Sequence, residues 1–157
     1  MKNNQLLKLI SLAVQSLFTG GCLVILFVLV PFWQKSNPED FLLWFSINSQ
    51  NIAKIMLPLE VIPLILSVLT FYLVNKQKDE TRKWWLLNLT ANVIILLLFF
   101  IYFMPANSSM SSGTIMKNQV KNELTKWEMI HLVRTLLTGI STVFCIVGLQ
   151  YIPVKKQ

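Results

Sequence analysis

Four apolar stretches, each about as long as a bilayer is thick, dominate this chain and limit what it can become. They cover approximately residues 6–33, 52–74, 84–104 and 127–152. An apolar helix needs about 20 residues to cross the hydrocarbon core. In 157 residues, four such segments leave no room for a soluble catalytic domain. The sequence therefore predicts one domain over residues 1–157, an all-α integral membrane four-helix bundle. Charged residues make up 13% of the chain and apolar ones 54%, which excludes a disordered tail or an ordinary soluble domain. The first stretch stays apolar through Val30 and ends in Pro31-Phe32-Trp33 instead of a small-residue cleavage site, so it reads as a retained span.

The segments between the spans carry their own signals. Asn37-Pro38-Glu39-Asp40 marks a helix start, and the aromatic run Phe41 to Phe45 behind it is too short to cross. It predicts a short interfacial helix between spans one and two. Trp33, Trp44, Trp84, Trp85 and Trp127 all fall at span ends, as an interfacial aromatic belt would require. The net charge of +7 comes from 14 Lys and Arg scattered between apolar runs, so membrane lipid is the expected partner and nucleic acid is not. Lys2, Lys8, Lys76, Lys78, Arg82, Lys83, Lys155 and Lys156 fall on one side, against Lys35, Lys117, Lys121 and Lys126 on the other. The positive-inside rule then predicts a multi-pass protein with both termini cytoplasmic. Cys22 and Cys145 lie in apolar runs, there is one His, and CxxC, HExxH and GxGxxG motifs are missing from the sequence. No metal or other cofactor is expected from such a set.

Ionisable groups inside spans cost at least about 2.5–3.5 kcal/mol each, so each requires a reason. In span four, Trp127, His131, Arg134, Thr138, Ser141, Cys145 and Gly148 recur at three- and four-residue steps and share one helix face. That stripe must face the bundle interior. Glu60 lies about eight residues into span two, roughly 12 Å at the α-helical rise, and Arg134 lies at nearly the same depth in span four. A Glu60–Arg134 pair is the expected neutraliser. Asn107 and Lys54 belong to the same level. A second polar layer is expected where Gln15 and Thr19 of span one meet Asn88 and Asn92 of span three.

The stretch Trp127-Glu128-Met129-Ile130-His131-Leu132-Val133-Arg134-Thr135, reading W-x-x-x-H-x-x-R-T, resembles the last span of the anthrone oxygenase-like membrane proteins. Pro105-Ala106-Asn107 resembles that family's Pro-x-Asn element, and the four-span layout with a long loop before the last helix agrees. The resemblance implies oxidation of an activated aromatic methylene by dioxygen without bound metal or flavin. His131 would then be the general base, because imidazole changes charge near neutral pH. Arg134 would stabilise the enolate and Glu60 would hold Arg134 in place. Trp127 would stack on a flat aromatic or quinone-like ligand, with Asn107 and Thr138 as further ligand contacts.

Two other readings use the same residues. In one, the polar groups are interhelical glue in a structural or accessory membrane protein, or line a site that binds a hydrophobic molecule without turnover. In the other, Glu60 or His131 relays protons in a small transporter. A cavity with His131 and Arg134 on its wall favours a ligand site. Tight packing favours glue, and a continuous polar path to Gln15 and Asn92 favours transport.

Overall fold

The computed structural model describes residues 2–150. Four rods follow one another: α1 (Asn4–Lys35), α2 (Pro38–Lys76), α3 (Arg82–Ser111) and α4 (Lys117–Leu149), each long and apolar enough to cross a membrane. Helices satisfy every backbone group internally, which hydrocarbon demands, and no strand occurs among the described residues. Both α1 and α3 pack against α2 and α4, so the chain circles a four-membered ring with α1 diagonal to α3 and α2 diagonal to α4. One end of the bundle holds the α2–α3 turn, and the opposite end, called here the loop end, holds the α1–α2 and α3–α4 connections. The fourth span was expected to reach 152, but its last residues, together with Lys155 and Lys156, lie outside the described residues.

The expected separate interfacial helix is instead the first part of α2. Asn37 caps it by accepting a hydrogen bond from the Asp40 backbone N–H at 2.9 Å. Pro38 takes the first turn, and Glu39 and Asp40 face the positive end of the helix dipole. The helix then continues for 39 residues to Lys76. No Gly or Pro interrupts it before Pro58, and its polar residues bond locally, Asn48 Nδ2 donating to the Trp44 carbonyl at 2.8 Å. Phe41 and Phe45 pack on Trp33 at centroid distances of 6.0 and 5.6 Å. That burial ties the early turns of α2 to the end of α1.

Helices α1 and α3 share a local device. Each contains a π turn, Ile25–Leu29 in α1 and Phe99–Phe103 in α3, and each has a proline two residues beyond it, Pro31 and Pro105. The Val30 and Met104 N–H groups reach back five residues, to the Ile25 and Phe99 carbonyls. Proline lacks an N–H and collides with the carbonyl four residues back, and the widened turn moves that carbonyl away.

Three of the five tryptophans are not belt residues. Trp33, Trp85 and Trp127 are buried, at 2%, 0% and 5% exposure. Gly148 of α4 makes room for Trp85, because a Cβ there would lie 2.8 Å from the indole Nε1. At this end of the bundle Lys8 Nζ donates to Asp79 Oδ2 at 2.8 Å and to Thr81 Oγ1 at 3.0 Å, fastening α1 to the α2–α3 turn. Further in, Ser11 meets Thr70 at 2.9 Å, and Asn92 Nδ2 donates to Gln15 Oε1 at 3.1 Å across the α1–α3 diagonal. Asn88 Nδ2 donates to Ser141 Oγ at 2.7 Å. The expected second polar layer is present as hydrogen-bonded contacts between helices, except that Thr19 meets Thr142 of α4 at 2.9 Å and neither Asn88 nor Asn92.

Partial burial pushes the Asp79 carboxyl up, but hydrogen bonds from Lys8 and Thr81 and the Lys8 charge outweigh it and hold it below the usual range. A carboxylate depressed on folding stabilises above its unfolded value, and that contribution is lost as pH falls through the folded value. Asp79→Asn should therefore cost about 1–3 kcal/mol at neutral pH and flatten the acid side of a plot of thermal unfolding against pH in detergent. Gly148→Leu should destabilise by about 1–3 kcal/mol in the same assay, through the clash with Trp85.

Candidate functional site

Near the loop end the α2–α4 diagonal is bridged by an ion pair. Arg134 Nη2 donates to Glu60 Oε2 at 2.9 Å, with both side chains at 7% exposure or less. The register of α2 and α4 brings them together: Glu60 stands on the inward stripe Ser49, Ile52, Met56 of α2, and Arg134 on the stripe of α4. The guanidinium also lies between two aromatic faces, 4.9 Å from the Phe103 ring and 5.4 Å from the Phe18 ring. This sandwich supplies cation–π attraction to a buried guanidinium.

One turn nearer the loop end, His131 is fully buried at 0% exposure. Its Nε2 lies 3.0 Å from the Cys22 carbonyl oxygen of α1. A carbonyl only accepts, so Nε2 carries the proton and Nδ1 keeps its lone pair. Trp127 stacks on the imidazole at 4.7 Å with 23° between planes, and its indole N–H donates to Asn107 Oδ1 at 2.9 Å. Trp33 and Phe103 complete the aromatic group by edge contacts to Trp127 at 5.4 and 5.2 Å.

The ion pair, His131, Trp127, Asn107 and Trp33 lie on the wall of a cavity of about 310 Å³. It runs along α2 from Ser49 to Glu60, roughly 16 Å at the α-helical rise, with the ion pair at its deep end. Of the six residues singled out in the sequence, the cavity is lined by five, Glu60, Asn107, Trp127, His131 and Arg134. Thr138 does not reach it. It sits one turn beyond Arg134, and its hydroxyl donates to the Thr135 carbonyl at 2.8 Å, so it serves the helix and not the cavity. Asn107 holds Trp127 instead of standing free. His131 lies on the wall but presents no accessible surface, because Trp127 covers it.

Sequence reading missed Trp33, Phe45 and Phe99 as cavity walls, along with the α2 positions Ser49, Gln50, Ala53 and Met56. Counting back from Glu60 in steps of three and four would have found the α2 residues. Four buried polar atoms around the cavity have no hydrogen-bond partner: Glu60 Oε1, Arg134 Nε, His131 Nδ1 and Trp33 Nε1. Native interiors rarely leave such atoms orphaned. No cluster of three or more His, Cys, Asp or Glu side chains suited to a metal ion occurs among the described residues.

The sequence model of the anthrone oxygenase family matches residues 41–144, from the start of α2 through most of α4, and so contains most of the cavity wall. The chain belongs to that family. Neither a curated protein nor a solved structure matches it. Within the matched region the family's extent includes Glu60, Asn107, Trp127, His131 and Arg134, whereas Trp33 and Cys22 of α1 lie outside it.

The ion pair itself is testable without any ligand. Removing one charge leaves the other buried, so Glu60→Leu or Arg134→Met should destabilise by about 3–5 kcal/mol in detergent unfolding. The Glu60→Leu/Arg134→Met double variant should recover most of that loss. A double variant no more stable than the singles would contradict direct pairing.

Proposed function

We propose that this membrane protein binds a flat, apolar aromatic molecule in the cavity and oxidises it with dioxygen. One observation carries the reading: an aromatic-walled cavity inside a membrane bundle has its ionisable groups gathered at the deep end. Its size stands at the small end of ligand pockets, which suits a few fused rings. Family membership supports the reaction class, oxidation of an anthrone-type methylene to a ketone.

In this reading His131 Nδ1 takes a proton from the methylene, and the carbanion is held as an enolate beside Arg134. Dioxygen adds to that carbon, the resulting hydroperoxide is protonated, and loss of the second C–H proton expels water and leaves the ketone. One methylene and one dioxygen give one carbonyl and one water. The base can act only when Trp127 moves off the imidazole. Trp127 and Asn107 therefore control its exposure, and Glu60 fixes Arg134.

A proton relay is less well supported. Directly above Gln15 and Asn92 the next turns of α1 and α3 carry Phe18 and Ile95, which with Cys22 are at 0% exposure and form an apolar cluster below Arg134, and the Thr138 hydroxyl of α4 at this level is spent on the Thr135 carbonyl. The orientation proposed places the α2–α3 turn, with Lys76, Lys78, Arg82 and Lys83, in the cytoplasm, and the cavity toward the opposite face.

His131→Gln keeps a polar side chain of similar size but cannot act as a base near neutral pH. Purified in detergent and supplied with anthrone, the wild type should consume dioxygen and form quinone in equal amounts, and His131→Gln should lose at least about a hundredfold of that rate while remaining folded. Undiminished turnover by the variant would remove His131 from the role of base.

A further inference from the structure

The cavity is sealed at both ends and open at its side. Toward the loop end, Trp33, Phe41, Phe45, Met110, Leu124 and Trp127 form a cap in which none exceeds 5% exposure. Toward the other end lies the layer of Phe18, Cys22 and Ile95. Between α2 and α3, in contrast, residues that line the cavity are also on the outer surface: Ala53 and Leu57 on one edge, Met104 and Ser108 on the other. Leu57 and Met104 are 44% and 50% exposed.

The rim changes character along its length. Gln50, Ser108 and Ser111 are polar and lie nearer the loop end, while Leu57 and Met104 are apolar and lie deeper. The apolar stretches of α2 and α3 begin near Ile52 and end near Met104, so the mouth crosses the level where headgroups give way to hydrocarbon. Pro105 and the π turn stand at its α3 edge, where Phe99 and Met104 face the opening.

We propose that this side opening is the route by which the ligand arrives from the bilayer and the product returns to it. The inference rests on the ligand site proposed above and deepens it, because it restricts the substrate to neutral aromatics dissolved in lipid. A molecule entering along the bundle axis from the loop end would have to unpack the aromatic cap, whereas one dissolved in lipid meets the apolar part of the mouth directly. A charged or conjugated one would meet the cost of carrying an ion past Leu57 and Met104. Ala53 sets the width of the mouth. It is exposed and has only a methyl group.

The test uses the full-length protein in liposomes loaded with anthrone, with binding read by quenching of tryptophan fluorescence. Ala53→Phe should slow association by about tenfold or more, read separately from the single-turnover rate of ligand already bound. Ile55→Phe is the control, because Ile55 is 65% exposed and does not line the cavity. It should leave both rates unchanged. In the wild type, adding empty lipid at fixed total anthrone should slow association in proportion to the dilution in the bilayer, and a sulfonated anthrone should not compete.

Association that ignores Ala53→Phe, or that follows the aqueous concentration and is blocked by the sulfonated analogue, would overturn the route while leaving the site intact. Should Ala53→Phe fail to fold, the dilution series on the wild type decides alone. A wild type that binds no aromatic from either phase would refute the ligand site itself, and the route with it.

Discussion

A carboxylate and a guanidinium buried inside hydrocarbon are tolerable only together, and the rest of this bundle is arranged around that necessity. Glu60 and Arg134 meet across one diagonal of the ring, so α2 and α4 are fixed in depth and rotation relative to each other. Arg134 is then positioned between Phe18 of α1 and Phe103 of α3, and all four helices contribute to its surroundings. Once the pair is placed, His131 on the preceding turn can only face the Cys22 carbonyl and Trp127, which determines which ring nitrogen keeps its lone pair. A salt bridge of this kind is poor economy as a stabiliser, because apolar residues of similar volume would serve a structural bundle as well. Its position at the deep end of a cavity supports the ligand site proposed above.

The bundle gathers its buried polar groups into two layers. Toward the α2–α3 turn, Lys8 and Asp79, Ser11 and Thr70, and Asn88 and Ser141 are paired within and between helices, as glue requires. Around the cavity, Glu60 Oε1, Arg134 Nε, His131 Nδ1 and Trp33 Nε1 are left without partners. Gln15 Nε2, Asn92 Oδ1 and Trp85 Nε1 of the first layer are unpartnered as well, so what sets the cavity layer apart is the charged pair and the imidazole gathered at one wall. The aromatic cap and the Phe18–Ile95 cluster close the two ends of the second, around the buried ion pair.

Much of this was legible in the chain. Periodicity put His131, Arg134 and Ser141 on one face of the last helix, and a depth count alone matched Glu60 to Arg134 and Gln15 to Asn92, because helical rise is constant. The membrane itself makes such counts useful, since few polar groups enter it without partners. What stayed hidden depended on neighbours. The aromatic start of α2 is by itself too short to span, yet no residue separates it from the rest of the helix and Trp33 holds Phe41 and Phe45 in place. Trp33 and Trp85 at span ends looked like belt residues, but Gly148 opens space for one and the α2 aromatics enclose the other. Thr138 shared the right stripe, but it lies one turn too deep for the cavity and its hydroxyl bonds its own helix. The π turns preceding Pro31 and Pro105 had no signature beyond the prolines.

The claim at the centre is that the enclosed charge pair faces a bound aromatic molecule. The most direct measurement is an experimental structure of the wild type in lipid nanodiscs equilibrated with an anthrone. Density for a flat ring system between Phe45, Phe99 and Trp127, with its oxygen within hydrogen-bonding distance of Arg134, is the predicted result. An aromatic seated only on the outer, lipid-facing surface, with the cavity collapsed around an unaltered ion pair, would contradict the account and leave Glu60 and Arg134 as a structural clasp.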